Sequence, residues 1–511
     1  MNSIKDRAAL IAQAAARMNK ETFKGTLPKN PTARTELQHQ SAKVVTLEDA
    51  IRKTGLKDGM TISFHHHFRG GDKVINLVVA KLAEMGFKNL HLASSSLIDV
   101  HEPLIEHIRN GVITKISTSG LRGKLANEIS HGLMEEPVVF RSHGGRGSAI
   151  ANGDIHIDVA FLGASSCDPM GNACGFSRSE NAKSICGSLG YALPDAQYAD
   201  KVVILTDDLV AYPNTPNAIS ERNVDYVVVV DSVGDSSKIS SGAIRDTKNP
   251  RDILLAQQAA KVIINSGYFK QGFSIQTGSG GASLAAVKFI RQSMIDQGIT
   301  ASFALGGITA HMVKMHEEGL IERLIDVQSF DKVAAESLKN DPMHKEVSAN
   351  EYASYDEPGS ATHNLDIVIL SALEVDVNFN VNVLVGSDGI IRGAIGGHPD
   401  TAADSALSII VCPLLRGRIP CVVDEVTTHI TPGSTVDVVV TEYGIAVNPG
   451  RPELKERLEK AGLKIVDIHS LKDRAKSIIG DAAPLPFGDK VVGIVMNRDG
   501  SVMDVIKNIT E

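Results

Sequence analysis

From Val44 the chain alternates between two patterns of apolar residues. Short runs, β-branched at their centres, read as strands buried on both faces: Met60 to Phe64, NLHLAS, VVFRS, DIHIDVAFLGAS, KVVILTD and YVVVVDS. Helical stretches lie between them, among them Leu47 to Thr54 and DKVINLVVAKLAEMG. This alternation predicts an α/β fold, with mostly parallel sheets and helices on both faces. From about Gly242 the pattern starts again. RDILLAQQAAKVIINSG reads as a helix, FSIQ as a strand, TGSGGA as a glycine turn, SLAAVKFIRQSMIDQG as a second helix and SFALGGIT as a further strand.

The two halves resemble each other. IDVAFLGASSCDPMGNA (157–173) aligns without a gap on LDIVILSALEVDVNFNV (365–381), which sets Asp158 against Asp366, Asp168 against Asp376 and Asn172 against Asn380. A repeat at a period of roughly 200 residues predicts a duplicated domain rather than a solenoid. The expected division is a helical arm over 1–45, a first domain over 46–240 and a second over 241–511. A site is expected in the cleft between the halves.

Polar residues gather at the ends of several expected strands. After the run Leu365 to Leu370 come Glu374, Asp376, Asn378, Asn380 and Asn382, whose period of two places them on one side of an extended segment. Gly393, Gly396 and Gly397 then free the backbone before His398 and Asp400. Acid and amide groups at a strand's carboxyl end, followed by a glycine turn, lie where open α/β sheets place ligands. In TGSGGAS (277–283) the N–H groups of Gly278, Ser279, Gly280 and Gly281 could cradle a phosphate or the oxygen of a reacting carbonyl. The segment is neither a P-loop nor a clean dinucleotide fingerprint, and a tight turn accounts for it equally well. His65 and His67 share a strand face, but no third metal ligand is evident, so a polar loop lining a cleft is the expectation. Arg69, just before Gly70 and Gly71, could hold an anion at the next helix or be a surface arginine at a turn. Glu442, in TEYGIAVNPG, could be a cap residue or a site carboxylate.

Composition narrows the classes. At 511 residues two to four domains are expected. A net charge of −8, with 43% hydrophobic and 22% charged residues, gives no basic excess for nucleic acid. No apolar run approaches the ~18 residues of a membrane helix, and the amphipathic N-terminus has no continuous apolar region for a secretory signal. Five cysteines with no CxxC pair suggest reduced thiols in a cytoplasm. Cys167 and Cys174 have no histidine that can be placed beside them as a base. Without tryptophan the core must be aliphatic.

SALEVDVNFNVN, then AIGGHPD, then TEYGIA resemble the carboxyl-terminal half of acetyl-CoA hydrolases and butyrate-type CoA-transferases. FSIQTGSGGASLAAV resembles the glycine segment that opens that half, and CDPMGNA the family's Asp-x-x-Gly-Asn segment. With SFHHHFRGGDKVIN included, the chain is similar over almost its whole length to the alpha subunits of citrate lyase within the CoA-transferase superfamily. The resemblance implies two related domains of the phosphosugar-isomerase type. It also implies a reaction, in which an acetyl thioester on an acyl carrier protein and citrate give a citryl thioester and acetate. The implied partners are a carrier (gamma) subunit with a CoA-like phosphopantetheine arm and a lyase (beta) subunit, in a cytoplasmic assembly without a tightly bound cofactor or metal.

On that reading Gly396, Gly397, Glu374 and His398 belong to the catalytic wall. Gly278, Ser279, Gly280, Gly281, Gly306, Gly307, Asp400 and Glu442 would meet the thioester, and Arg69, Arg141, Arg146 and Arg392 are the candidates for carboxylates. In the hydrolase-like relatives the strand matched to SFALGGIT is followed by Thr-Glu, and that Glu is the covalent nucleophile. Here the pair reads Thr309-Ala310. The expectation is therefore direct attack by citrate's own carboxylate through a mixed anhydride, with no glutamyl intermediate. Citramalate as the acceptor acid, or a non-catalytic scaffold that docks carrier and lyase, are the alternatives. A sugar-phosphate isomerase on the same fold would want a cationic phosphate clamp that the sequence does not display.

Overall fold

The computed structural model describes residues 4–20, 22, 43–240, 247–278, 280–480 and 484–510. The chain divides into two compact units, 1–37 and 38–511. In the first, Ile4–Arg17 is a helix on which Leu10 and Ile11 are exposed.

Among the described residues the second unit contains a nine-stranded and an eight-stranded sheet. The first sheet runs Val502–Ile509, Phe487–Met496, Val138–Phe140, Ile113–Thr118, Leu90–Ser94, Thr61–Phe64, Val159–Ala164, Lys201–Thr206 and Tyr226–Val229. All of its pairings are parallel except that of the last hairpin. The second runs His344–Glu346, Leu324–Ser329, Phe303–Ile308, Ser274–Thr277, Ile367–Ser371, Leu407–Val411, Val438–Thr441 and Gly444–Val447, again parallel up to its final hairpin. The α/β expectation is met. Strands such as Val159–Ala164 are buried along their whole length because helices cover both faces. The cores are mostly aliphatic, with Ile62, Leu92, Leu162, Ile369 and Ile409 fully out of water beside a few phenylalanines such as Phe64 and Phe273. Each such side chain contributes about 1.5–3 kcal/mol.

The sequence repeat persists in hydrogen bonds. Asp158 Oδ2 accepts from Thr61 N–H at 2.7 Å, and Asp366 Oδ2 accepts from Ser274 N–H at 2.8 Å, so each carboxylate pins the first strand of its own sheet. Asp168 Oδ1 accepts from the N–H groups of Met170, Gly171 and Asn172, and Asp376 Oδ1 from those of Asn378 and Asn380. Both turns need a left-handed residue three places after the aspartate, Gly171 at φ 106° and Phe379 at φ 67°. These polar groups therefore close turns. The polar series from Glu374 does not line one extended strand: Glu374–Asp376 returns at once as Val381–Asn382, antiparallel, with Glu374 opposite Asn382. One boundary also changes. Phe487–Met496 pairs with Val138–Phe140, so the last hairpin joins the first sheet instead of staying with the expected 241–511 domain.

Strand order changes direction at Thr61–Phe64/Val159–Ala164 in one sheet and at Ser274–Thr277/Ile367–Ser371 in the other. Chain leaving the carboxyl ends of strands at such a point diverges and leaves a crevice.

Candidate active site

Both crevices open into one cavity of about 370 Å³. From the first sheet it takes His66 and Arg69, which follow Thr61–Phe64, with Ser96, Ser119, Arg122, His143 and Tyr191. From the second it takes Gln276 and Thr277 at the end of Ser274–Thr277 with Gly278 and Gly280 after them, and Leu370 and Ser371 at the end of Ile367–Ser371 with Ala372 and Leu373 after them. Gly307, Gln328, Phe330, Tyr352, Gly396, Gly397, His398 and Arg416 complete its polar and turn lining. A larger hollow of about 800 Å³ beside Arg451 and Arg457 gathers no strand ends from either switch point.

Charge in the cavity is one-sided. Its described lining carries Arg69, Arg122 and Arg416 and no carboxylate. Arg69 sits in the left-handed region at φ 48°, with its guanidinium 4.8 Å over the Phe330 ring. Its Nη1 is buried without a hydrogen-bond partner. Burial, with the charge of Arg122 second, draws its pKa down to about 10. A buried guanidinium with a free donor is a place for an anionic oxygen. Arg416 is partly committed, since it donates to the carbonyls of Leu373 and Ala372.

The histidines add no charge at neutral pH. His66 Nδ1 lies 2.6 Å from Ser95 Oγ, and its ring stacks with those of Tyr191 and His143. Burial lowers the His66 pKa well below the ordinary value and takes that of His143 to about 3. His65 Nε2 accepts from Gly163 N–H, and His67 Nε2 from Tyr191 N–H. Those two rings brace the wall from behind while His66 faces the cavity. His398 Nε2–H donates to Ser371 O at 3.1 Å, and its Nδ1 accepts from Thr431 Oγ1 at 2.7 Å. Both nitrogens are occupied, and burial holds the ring neutral with a pKa of about 4. Its role is to fix the turn beside it. Gly396 there takes φ 58°, and a Cβ at Gly397 would meet Tyr352 Oη at 2.6 Å.

The family model described as citrate lyase, alpha subunit (CitF), matches residues 41–509. The citrate lyase alpha chain of Klebsiella pneumoniae is 56% identical over 508 residues, 99% of each chain. That of Escherichia coli (strain K12) is 59% identical over 465 residues, covering 91% of this chain and 90% of the relative. This chain belongs to the citrate lyase alpha subunit family. It is a transferase, as that membership entails. The citrate lyase alpha subunit of Streptococcus mutans, solved in complex with citrate, is 54% identical and superposes with a TM-score of 0.90 over 96% of both chains. The malonate decarboxylase alpha subunit of Acinetobacter baumannii shares the fold at 15% identity, with a TM-score of 0.63 over 93% of this chain and 96% of the other.

For a citrate lyase alpha subunit the remaining expected site residues are placed as follows. Gly396, Gly397, His398, Gly278, Gly280, Gly307 and Arg69 meet at the cavity, and Ser279 lies outside the described residues. Gly281 opens the helix Gly281–Gln297, and Gly306, at φ 95°, packs against the Gln276 amide. Glu374 is not in the lining. Its Oε2 accepts from Asn382 Nδ2 and Thr427 N–H and its Oε1 from Thr427 Oγ1, which fastens a hairpin. Asp400 accepts from Ser142 Oγ and Gly144 N–H behind the wall, where burial raises its pKa to about 6. Glu442 accepts from Leu414 N–H, outside the lining. Arg146 is consumed by a buried bidentate pair with Asp195, and Arg392 by an exposed pair with Asp388. Arg141 lies at a separate hollow with Asp154 and Arg498. Ala310 heads the helix Ala310–Glu317, three residues past Gly307, and donates its N–H to Asp331.

Sequence reasoning missed Arg122, His143, Tyr191, Gln276, Gln328, Phe330, Tyr352 and Arg416. Gln276 carried a usable signal, being a polar residue at the end of a strand that runs into a glycine turn. Tyr352 carried none, since it sits within the short helix Ala349–Ala353.

Proposed function

We propose that this chain moves a carrier thiol from acetate to citrate. An acetyl thioester on a CoA-like arm and citrate become a citryl thioester and acetate, and a separate lyase subunit then cleaves the citryl thioester. One carboxylate oxygen of citrate attacks the acetyl carbonyl carbon, and the C–S bond breaks to leave thiolate and a mixed acetic–citric anhydride. The thiolate then attacks the citryl carbonyl, and acetate departs with the bridging oxygen. The observation that carries this reading is a cavity with three arginines and no carboxylate in its described lining. It suits a trianion, and it holds no glutamate for a covalent acyl intermediate.

Arg69 and Arg122 are assigned to the unreacting carboxylates. A unit charge pair at ~4 Å is worth about 4 kcal/mol at the effective dielectric of such sites. Each tetrahedral oxyanion needs donors fixed beforehand. Gly278 N–H is already spent on Ile369 O. The donors nearest the turn are those at the N-terminus of Gly281–Gln297, which has Gly280 as its cap residue and no side-chain cap. Mixing the purified chain with acetyl-CoA and citrate, and separately with citramalate, tests the reading. A new citryl thioester by mass supports it, and a chain that makes none by itself would be a scaffold.

A further inference from the structure

Citrate's carboxylates only accept hydrogen bonds when ionised, and its single donor is the tertiary hydroxyl. We infer that Gln276 reads that hydroxyl, and so selects hydroxylated polycarboxylates over their deoxy analogues; this rests on citrate's being the acid bound in the cavity. Gln276 is 8% exposed and lines the cavity. Its Nε2–H donates to Tyr352 Oη at 2.8 Å, which turns the other end of the amide away from the tyrosine. That end, Oε1, is buried and has no hydrogen-bond partner. A buried amide oxygen without a donor costs free energy until a ligand supplies one.

Position favours the acid over the carrier arm. A Cβ at Gly306 would touch the Gln276 amide at 2.8 Å, and one at the adjacent Gly307 would strike the Phe330 ring. The guanidinium of Arg69 lies over that same ring. The free acceptor and the free cationic donor both line this one cavity. A hydroxyl and a carboxylate on one small carbon skeleton match that pairing. The amide N–H groups of a pantetheine arm carry no adjacent anion to match it.

The test compares citrate with tricarballylate, which is citrate without its hydroxyl. For the wild-type chain, kcat/KM with acetyl-CoA should favour citrate by about 5- to 150-fold, the range for leaving one buried partner unsatisfied. In Gln276→Leu and Gln276→Met the preference should fall toward unity, with the loss on citrate and with the KM for acetyl-CoA unchanged. Calorimetric Kd values for the two acids, measured without acetyl-CoA, should show the same ratio. They separate a failure of the transfer reading from a failure of this one. Equal handling of the two acids by the wild type, or a preference that survives both substitutions, would overturn the inference. So would a rise in the KM for acetyl-CoA with the acid preference intact.

Discussion

Replacing Arg69 by Met should weaken citrate binding without weakening the fold. In the free protein Nη1 has no partner, so the substitution breaks no hydrogen bond there. What it removes is a buried charge. Holding an arginine at a pKa of about 10 against its ordinary 12.5 disfavours the charged form by about 3 kcal/mol, and that cost is present at every pH below the folded value. Against it stands the stacking on Phe330, worth ~0.5–2 kcal/mol. Urea denaturation at pH 7 should therefore show a stability higher than wild type by about 1–2.5 kcal/mol. Binding moves the other way. Losing a charge-assisted hydrogen bond to a carboxylate costs about 1.5–3 kcal/mol, and so the KM for citrate should rise about 10- to 150-fold. Initial rates with varied citrate at saturating acetyl-CoA read this directly, and the acetyl-CoA dependence should stay as in wild type. Arg69→Lys keeps the charge but loses the planar fork, and should fall between. An unchanged KM for citrate together with a marked loss of stability would show Arg69 to be a structural residue.

Gly397→Val should abolish turnover, because its Cβ would collide with Tyr352 Oη; normal turnover in the folded variant would take this turn out of the site. Glu374→Gln should retain activity and Glu374→Ala should unfold more easily by about 1–3 kcal/mol, since the latter removes the acceptor of Asn382 Nδ2, Thr427 N–H and Thr427 Oγ1. A folded but inactive Glu374→Gln would instead make Glu374 a reacting group. The rate should show no histidine limb between pH 6 and 8, because His143 and His398, with pKa values of about 3 and about 4, stay neutral throughout. Stability follows the lowered values: the unfolded chain takes up these protons near pH 6.5, so urea stability should fall as the pH drops from there toward 4. A kinetic limb near pH 6.5 that vanishes in His143→Gln would contradict neutral histidines in the cavity.

Much of this fold was legible because period and repeat are local properties. The parallel strands, the restart near Gly242 and the Asp158/Asp366 and Asp168/Asp376 pairs all follow from residue spacing. The last hairpin was not legible, since nothing in residues 487–509 says which of two sheets has the open edge beside Val138–Phe140. The site divides along the same line. Glycine-rich stretches announced Gly278, Gly307, Gly396 and Gly397, although Gly307 lies inside Phe303–Ile308 and Gly396 and Gly397 stand before the helix His398–Asp404. The choice among arginines depended on partners far along the chain: Asp195 removes Arg146, while Arg69 is left with a free donor. Glu374 follows for a related reason, because a carboxylate that closes a hairpin through Asn382 and holds Thr427 looks in sequence like one that lines a cavity.

Direct attack is tested most closely by a single turnover with enzyme in excess over acetyl-CoA and with citrate labelled by ¹⁸O in its carboxylates. If citrate's own oxygen bridges the anhydride, the released acetate carries one ¹⁸O from citrate in that first turnover and the protein acquires none. Unlabelled acetate, with the ¹⁸O found on a glutamate of the chain, would show a covalent enzyme intermediate and contradict it.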